Sequence, residues 1–185
     1  MSGELTGSQG VRVVAEAAKA AGVRRVVLVS SAFVSPHQYW SPIRLILNSV
    51  KFRLMDAKFE VREHWPRTPS ALCHMFAVCS QPCCGQGEQA LRRSGASYTV
   101  IRPGRLGDGA GGDAAWVVSQ GDRMHNAGAI ARADVAAVAV AALFDDAAEC
   151  VTLEICGMKP AAPPAEGQLA ALFRGLQRDE PVAAL

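Results

Sequence analysis

Two adjacent serines are the first residues of this chain that could do chemistry. Ser30 and Ser31 directly follow the apolar run Val26–Val29, and a continuous run of valine and leucine is typical of a parallel strand that is buried on both faces. In open α/β sheets, ligands bind outside the carboxyl ends of the strands. The sequence therefore predicts that both hydroxyl groups lie at a ligand-binding edge, although a strand-end turn would use the same residues.

A second segment of interest follows the next strand-like run, Tyr98–Ile101. An Arg-Pro-Gly sequence at 102–104 predicts a turn of fixed backbone conformation. Further on, Gly107, Gly109 and Gly112 match the spacing Gly-x-Gly-x-x-Gly. No acidic residue follows at a strand end about 20 positions later, as a dinucleotide fingerprint requires. We interpret these glycines as a flexible surface loop rather than a phosphate site.

The elements that must position these residues alternate along the chain. An alanine-rich helix over Val11–Ala21 is predicted to bury Val14, Ala17, Ala18 and Ala21, and Gly22 ends it. Further helices are predicted over 42–58, 88–93, 132–144 and 169–176, and strands over 26–29, 98–101 and 151–155. Helices and strands in alternation predict an α/β fold, in which a parallel sheet carries helices on its faces.

Composition narrows the class of protein. With 185 residues, half of them apolar, the chain is long enough for one globular domain. A net charge of +2 is too small to indicate nucleic-acid or membrane binding, and no apolar run approaches the roughly 20 residues of a membrane span. The crowded spacing of four of the six cysteines predicts free thiols in a reducing compartment. We expect a soluble protein of the cytoplasm or the plastid stroma.

Four motifs in a fixed order resemble a known family. Together they resemble the atypical short-chain dehydrogenase/reductase proteins, and within them the NmrA-like NAD(P)-binding proteins. The resemblance covers roughly residues 9–60 and 87–156 and implies a Rossmann sheet with NAD or NADP as cofactor and an unidentified small-molecule substrate. The motifs are Ala20–Ser31, Gly87–Gly95, Tyr98–Gly104 and Ala131–Ala136.

The resemblance also implies which residues would bind the cofactor. In this family a serine at the end of the corresponding strand lines the nicotinamide site, which is the position of Ser30. A lysine of the following helix binds the nicotinamide ribose, and Lys58 stands where it would fall. The loop formed by Arg102, Pro103 and Gly104 would pack against the nicotinamide.

The residues of this chain match the family's cofactor-binding positions more completely than its catalytic ones. Catalytic members of the family carry a tyrosine four residues before the lysine, as a general acid, but this chain has Leu54 there. Tyr39 is the only tyrosine nearby, and Ile43 rather than a lysine lies four residues after it. The catalytic candidates are therefore Ser30 or Ser31, which would polarise the substrate, with Tyr39 as a substitute acid.

The glycine loop that binds pyrophosphate in this family is expected upstream of residue 1. Residues 1–158 are therefore predicted to form the C-terminal half of a Rossmann-like parallel sheet, lacking the N-terminal glycine-loop half. Residues 159–185 would be a linker and a short C-terminal helix. We expect weak NAD(P) binding with weak or no activity, in a chain whose first strand has an exposed edge. The alternative is a non-catalytic cofactor-sensing or scaffold protein.

Residues 61–86 interrupt the family pattern, with three prolines and no helical period. Valine codons begin with GT and one glutamine codon ends in AG, so we hypothesise an intron translated in frame and expect an irregular, poorly packed segment. The alternative is a zinc site, although the ligand spacing fits paired zinc ligands poorly, and we expect no metal. Its candidate ligands are His64, Cys73, His74, Cys79, Cys83 and Cys84.

Overall fold

The computed structural model describes residues 7–32, 81–124, 128–158, 162 and 164–181. The helix predicted over 42–58 lies outside the described residues. In chain order the elements are α1 (Gly7–Ala20), β1 (Val26–Val29), α2 (Gln81–Ser94), β2 (Tyr98–Pro103), β3 (Leu106–Gly107), β4 (Trp116–Ser119), β5 (Ile130–Ala131), α3 (Arg132–Phe144), a 3-10 helix (Asp146–Ala148), β6 (Val151–Gly157) and α4 (Gln168–Ala171).

Four strands form the main sheet in the order β1-β2-β6-β4. The first three are parallel, with Val29 beside Ile101 and Ile101 beside Leu153, which confirms the three predicted parallel strands. The antiparallel strand β4 was not predicted; it pairs with β6. A separate two-stranded parallel sheet joins β3 and β5.

Strand β1 differs from its prediction in burial. All four of its residues are half-buried rather than buried on both faces. The reason is its position, because β1 has β2 on one side and no second neighbouring strand among the described residues. By contrast, every residue of β2 and β6 is buried.

Helices cover both faces of the sheet, as predicted. On one face α1 and α2 pack through Ala15 and Leu91 against Tyr98 and Val100 of β2. The other face carries the larger core, which α3 and the segment around α4 cover. That core consists of Ile101, Ile130, Val135, Val138, Ala142, Ala148, Val151, Leu153, Ile155, Leu172 and Phe173.

The predicted apolar face of α1 is wrong for Val14, Ala17 and Ala21, which are exposed, and right for Ala18. Val14 is 51% exposed, whereas Ala15 is fully buried. Val11 and Ala18 are half-buried on the packed face. A helix so rich in alanine differs little in hydrophobicity from one side to the other, so contacts with neighbouring elements decide which side is buried. A β-carbon at Gly87 of α2 would lie only 3.3 Å from the Val11 side chain, so this glycine lets the two helices approach closely.

Two other boundaries differ from the sequence prediction. Helix α2 begins at Gln81, so the expectation that 61–86 is irregular is wrong for its last six residues, while residues 61–80 lie outside the described part. Pro82 is compatible with this helix because the first turn has no intrahelical use for the missing N–H. The last helix spans only Gln168–Ala171, and Gly175 beyond it adopts a positive φ of 81°.

Two valines of α3 provide a matched test of this core. Val138 is fully buried and Val140 is 56% exposed. We expect Val138→Ala to lower the free energy of unfolding by about 1.5–3 kcal/mol because it removes buried methyl groups and leaves a cavity. Val140→Ala should change it by less than about 0.5 kcal/mol. Urea unfolding of both variants measures the difference, and equal losses would contradict this packing.

Candidate functional site

The carboxyl ends of β1 and β2 bring the two predicted loops together. The main-chain N–H of Ser30 donates to the carbonyl of Ile101 at 2.8 Å, and that of Ala32 donates to the carbonyl of Pro103 at 3.2 Å. The N–H of Gly104 is bonded to β6 at 2.9 Å. The serine pair and the Arg-Pro-Gly loop therefore lie side by side at one edge of the sheet, which we call the serine edge (residues 30–32 and 102–104).

A buried carboxylate lies directly behind this edge. Ser30 Oγ donates a hydrogen bond of 2.6 Å to Oε1 of Glu88, a residue of α2. Only 1% of Glu88 is exposed. Arg102 donates to the same carboxylate through Nε at 3.0 Å and Nη2 at 2.6 Å, and Arg92 donates to it through two nitrogens at 3.2 Å each. Two guanidinium groups thus balance one buried carboxylate.

The charged row continues across the sheet. Arg102 of β2 stands beside Glu154 of β6 in register, and Arg102 Nη1 lies 3.4 Å from Glu154 Oε1. Ser119 of β4, the register partner of Glu154 on its other side, donates to Glu154 Oε2 at 3.0 Å. Ser30, Arg102, Glu154 and Ser119 therefore form one polar row that runs from the end of β1 across β2, β6 and β4.

Burial and charge act in opposite directions on these groups. Burial raises the pKa of Glu154, and the hydrogen bond from the main chain of Asp122 and the charge of Arg102 offset only part of that effect. For Arg102, burial lowers the pKa, but the hydrogen bond and charge of Glu88 outweigh it, so the pKa is raised overall. Arg102 is therefore a permanent cation inside the protein.

A third carboxylate, that of Asp179, anchors the C-terminal segment to these residues. Oδ2 of Asp179 accepts from Arg92 Nε at 3.2 Å, from the Tyr98 hydroxyl at 2.9 Å and from the Thr152 hydroxyl at 2.6 Å. Burial, followed by the charge of Asp179 and its hydrogen bond, raises the pKa of Tyr98. The Tyr98 hydroxyl therefore stays protonated and serves as a hydrogen-bond donor to Asp179. We call these five charged residues the ion network: Glu88, Arg92, Arg102, Glu154 and Asp179.

The hydroxyl protons at the serine edge are already engaged. A serine hydroxyl carries one proton and can donate only one hydrogen bond. Ser30 donates its proton to Glu88, and Ser31 donates to the carbonyl of Ala32 at a longer 3.3 Å. In this arrangement Ser30 has no proton left to polarise a substrate carbonyl.

The glycine-rich segment does not form a phosphate site. Gly107 belongs to β3, and the strand β4, not a helix, follows the glycines. The main-chain N–H of Gly112 donates to Asp134 Oδ1 at 2.7 Å, so the loop is fastened to the first turn of α3. Gly111 adopts a φ of +83°, and a β-carbon there would lie 2.9 Å from the Asp134 carboxylate. An acidic side chain therefore occupies the helix N-terminus that an anion would need.

Several predicted site residues lie outside the described part of the chain. These are Tyr39 and Lys58, together with the zinc candidates His64, Cys73, His74 and Cys79. Within the described residues, no group of three or more His, Cys, Asp or Glu side chains could hold a metal ion, and Cys150 and Cys156 are free thiols. None of the described helices combines the length and apolar character that crossing a membrane requires.

Comparisons with known proteins agree with this architecture. A family model described as NAD(P)H-binding matches residues 84–146. A chloroplastic protein of Arabidopsis thaliana, High Chlorophyll Fluorescence Phenotype 173, is 44% identical over 70 residues, which are 38% of this chain and 11% of that protein.

Solved structures show the same fold. A protein from Bacillus halodurans named as an NAD-dependent epimerase/dehydratase has a TM-score of 0.58 at 19% identity, over 92% of this chain and 60% of that one. A short-chain dehydrogenase/reductase from Veillonella parvula in complex with NADP has a TM-score of 0.54 at 16% identity, over 87% of this chain and 63% of that one. The chain thus spans less than two thirds of the length of these relatives.

These findings confirm the resemblance inferred from the motifs. The chain shares a Rossmann-like fold with these structures, and residues 84–146 match an NAD(P)H-binding family model.

Neutralising Glu88 tests the ion network. Glu88→Gln keeps the shape of the side chain but leaves the buried guanidinium of Arg102 and the half-buried one of Arg92 without their shared counter-charge. We therefore expect the free energy of unfolding to fall by about 3–5 kcal/mol. The matched control is Glu16→Gln in α1, whose partner Arg12 lies 3.6 Å away and is 60% exposed. That change should cost less than about 0.5 kcal/mol. Similar losses in the two variants would contradict a structural role for the network.

The raised pKa of Glu154 predicts a pH dependence. Because folding raises this pKa above its ordinary value of 4.5, the folded state binds the proton more tightly than the unfolded state does. The resulting stabilisation is complete below that value and is lost as pH rises through the higher folded pKa. Glu154→Gln should therefore gain stability relative to the parent as pH rises from acidic to neutral. Urea unfolding at a series of pH values measures this, and a constant difference would contradict it.

Proposed function

We propose that this chain is an NAD(P)-binding module that contacts the nicotinamide side of the dinucleotide and has weak or no reductase activity. The observation that carries the proposal is the hydrogen bond of 2.6 Å from Ser30 to Glu88, which leaves the serine at the family's substrate-polarising position without a free proton. Leu54, at the position of the family's catalytic tyrosine, supports the same conclusion because it cannot transfer a proton.

The serine edge suits the nicotinamide end of the cofactor better than its pyrophosphate. Half-buried hydroxyls at Ser30 and Ser31 and the fixed backbone of Pro103 and Gly104 offer hydrogen bonding and a flat contact. The ion network behind them pairs two guanidinium groups with three carboxylates, so it offers no excess positive charge for phosphate. The sequence also has no glycine between Gly22 and Gly85, so no glycine loop follows β1.

Each residue then has a defined contribution. Ser30, Ser31, Pro103 and Gly104 contact the nicotinamide, and Arg102 holds the loop in place through Glu88. Lys58, carried over from the family resemblance, binds the ribose. A bound NAD(P) would supply the hydride-carrying ring, while the substrate remains an unidentified small molecule.

A cofactor-sensing or scaffold role is the second candidate, and the engaged proton of Ser30 favours it over a reductase. We further propose a plastid location, supported by the chloroplastic protein of Arabidopsis that matches 38% of this chain.

Binding measurements test the proposal. We expect the chain to bind NADH or NADPH with a dissociation constant on the order of 1 mM or weaker, about −4 kcal/mol at best, because the contacts are confined to one end of the ligand. Nicotinamide mononucleotide should bind comparably, whereas ADP-ribose, which lacks the nicotinamide, should not. NMR chemical-shift titration measures such weak affinities. Micromolar binding, or binding of ADP-ribose alone, would contradict the proposal, as would steady NADPH oxidation.

A further inference from the structure

The direction of the hydrogen bond between Ser30 and Glu88 is fixed by charge. Glu88 Oε2 accepts hydrogen bonds from Arg102 Nη2 at 2.6 Å and from Arg92 Nη1 at 3.2 Å, so two guanidinium groups contact this carboxylate. An ionised carboxylate only accepts hydrogen bonds. The proton between the two side chains therefore belongs to Ser30, and only the lone pairs of its oxygen remain for a ligand.

The two serines of the edge consequently differ. Ser30 makes a short, charge-assisted bond, which is stronger than a bond between neutral groups, so it resists turning its proton toward a ligand. Ser31 donates to a neutral carbonyl at 3.3 Å, and its hydroxyl can turn to donate or accept. The edge therefore has one fixed acceptor and one adaptable hydroxyl.

We propose that Ser30 recognises an N–H donor of the ligand, and that this donor is the carboxamide NH₂ of the nicotinamide. This inference rests on the proposed function and deepens it. Glu88 is the positioning residue, since its carboxylate accepts the hydrogen bond of the Ser30 hydroxyl and leaves only the serine lone pairs to face a ligand. A ligand with a carbonyl at this position would place an acceptor against an acceptor and would be disfavoured.

The experiment compares two ligands that differ only in this donor. NADH carries the carboxamide, and its 3-acetylpyridine analogue carries a methyl ketone that cannot donate. Ser30→Ala should weaken NADH binding about threefold to tenfold and leave the analogue unchanged. The variant should fold, because Glu88 Oε1 keeps the bond from Arg102 Nε at 3.0 Å. Ser31→Ala is the matched control and should affect both ligands equally.

Variants that keep a polar group separate positioning from simple packing. Ser30→Thr retains the hydroxyl and should restore discrimination between the two ligands. In Glu88→Gln the amide can donate as well as accept, so Ser30 is free to donate, and the analogue should gain affinity relative to NADH. A purely structural role for Glu88 would change both affinities by the same factor.

The outcomes are distinct. Equal weakening of both ligands by Ser30→Ala, or no effect on either, would overturn the role of Ser30 and leave the proposed function intact. If neither dinucleotide binds the parent chain, the proposed function and this inference both fall.

Discussion

The fold depends on the compensation of charge inside a small protein. Glu88 and Glu154 are 1% and 0% exposed, and Arg102 is 7% exposed. Removing such groups from water costs several kcal/mol for each ion unless other charges and hydrogen bonds replace the solvent. Each carboxylate of the ion network accepts at least two hydrogen bonds. The donors lie at the end of β1, on helix α2 and on strands β2, β4 and β6, and Asp179 brings the C-terminal segment into the network as an acceptor. The elements of the domain must therefore be in place together for any of these charges to be tolerated.

The same constraint limits what the serine edge can do. A catalytic hydroxyl must have its proton available, and a guanidinium that binds phosphate must have charge to spare. Here the Ser30 hydroxyl already donates its hydrogen bond to Glu88, and the Arg102 guanidinium is paired with both Glu88 and Glu154. The interactions that hold the loop at 102–104 in place therefore use the hydroxyl and guanidinium groups that could otherwise bind a ligand. An NAD(P)-binding fold therefore does not imply the chemistry associated with it.

The parallel strands could be predicted from the sequence because runs of valine, isoleucine and leucine indicate burial without reference to the rest of the fold. The packed face of α1 could not, since alanine and valine occur on all its sides and contacts with Leu91 and Gly87 decide between them. Strand β4 follows an irregular glycine-rich loop and is recognisable only beside β6. Glu88 was missed because its spacing to Arg92 is that of an ordinary exposed ion pair on a helix. One signal was available: Glu154 lies between Leu153 and Ile155 in a run that predicts a buried strand, and a charge there requires a partner.

The start of α3 and the serine edge are the two places where a phosphate could be expected to bind, and fixed negative charge disfavours it at both. At the start of α3, Asp134 accepts from Gly112 and places a negative charge where a phosphate would have to bind. At the serine edge, the ion network contains more carboxylates than guanidinium groups. Backbone N–H groups at a helix N-terminus favour anions only when no fixed negative charge stands among them. Neither place therefore favours a pyrophosphate, and for this reason the proposed binding relies on hydrogen bonds to the neutral part of the cofactor.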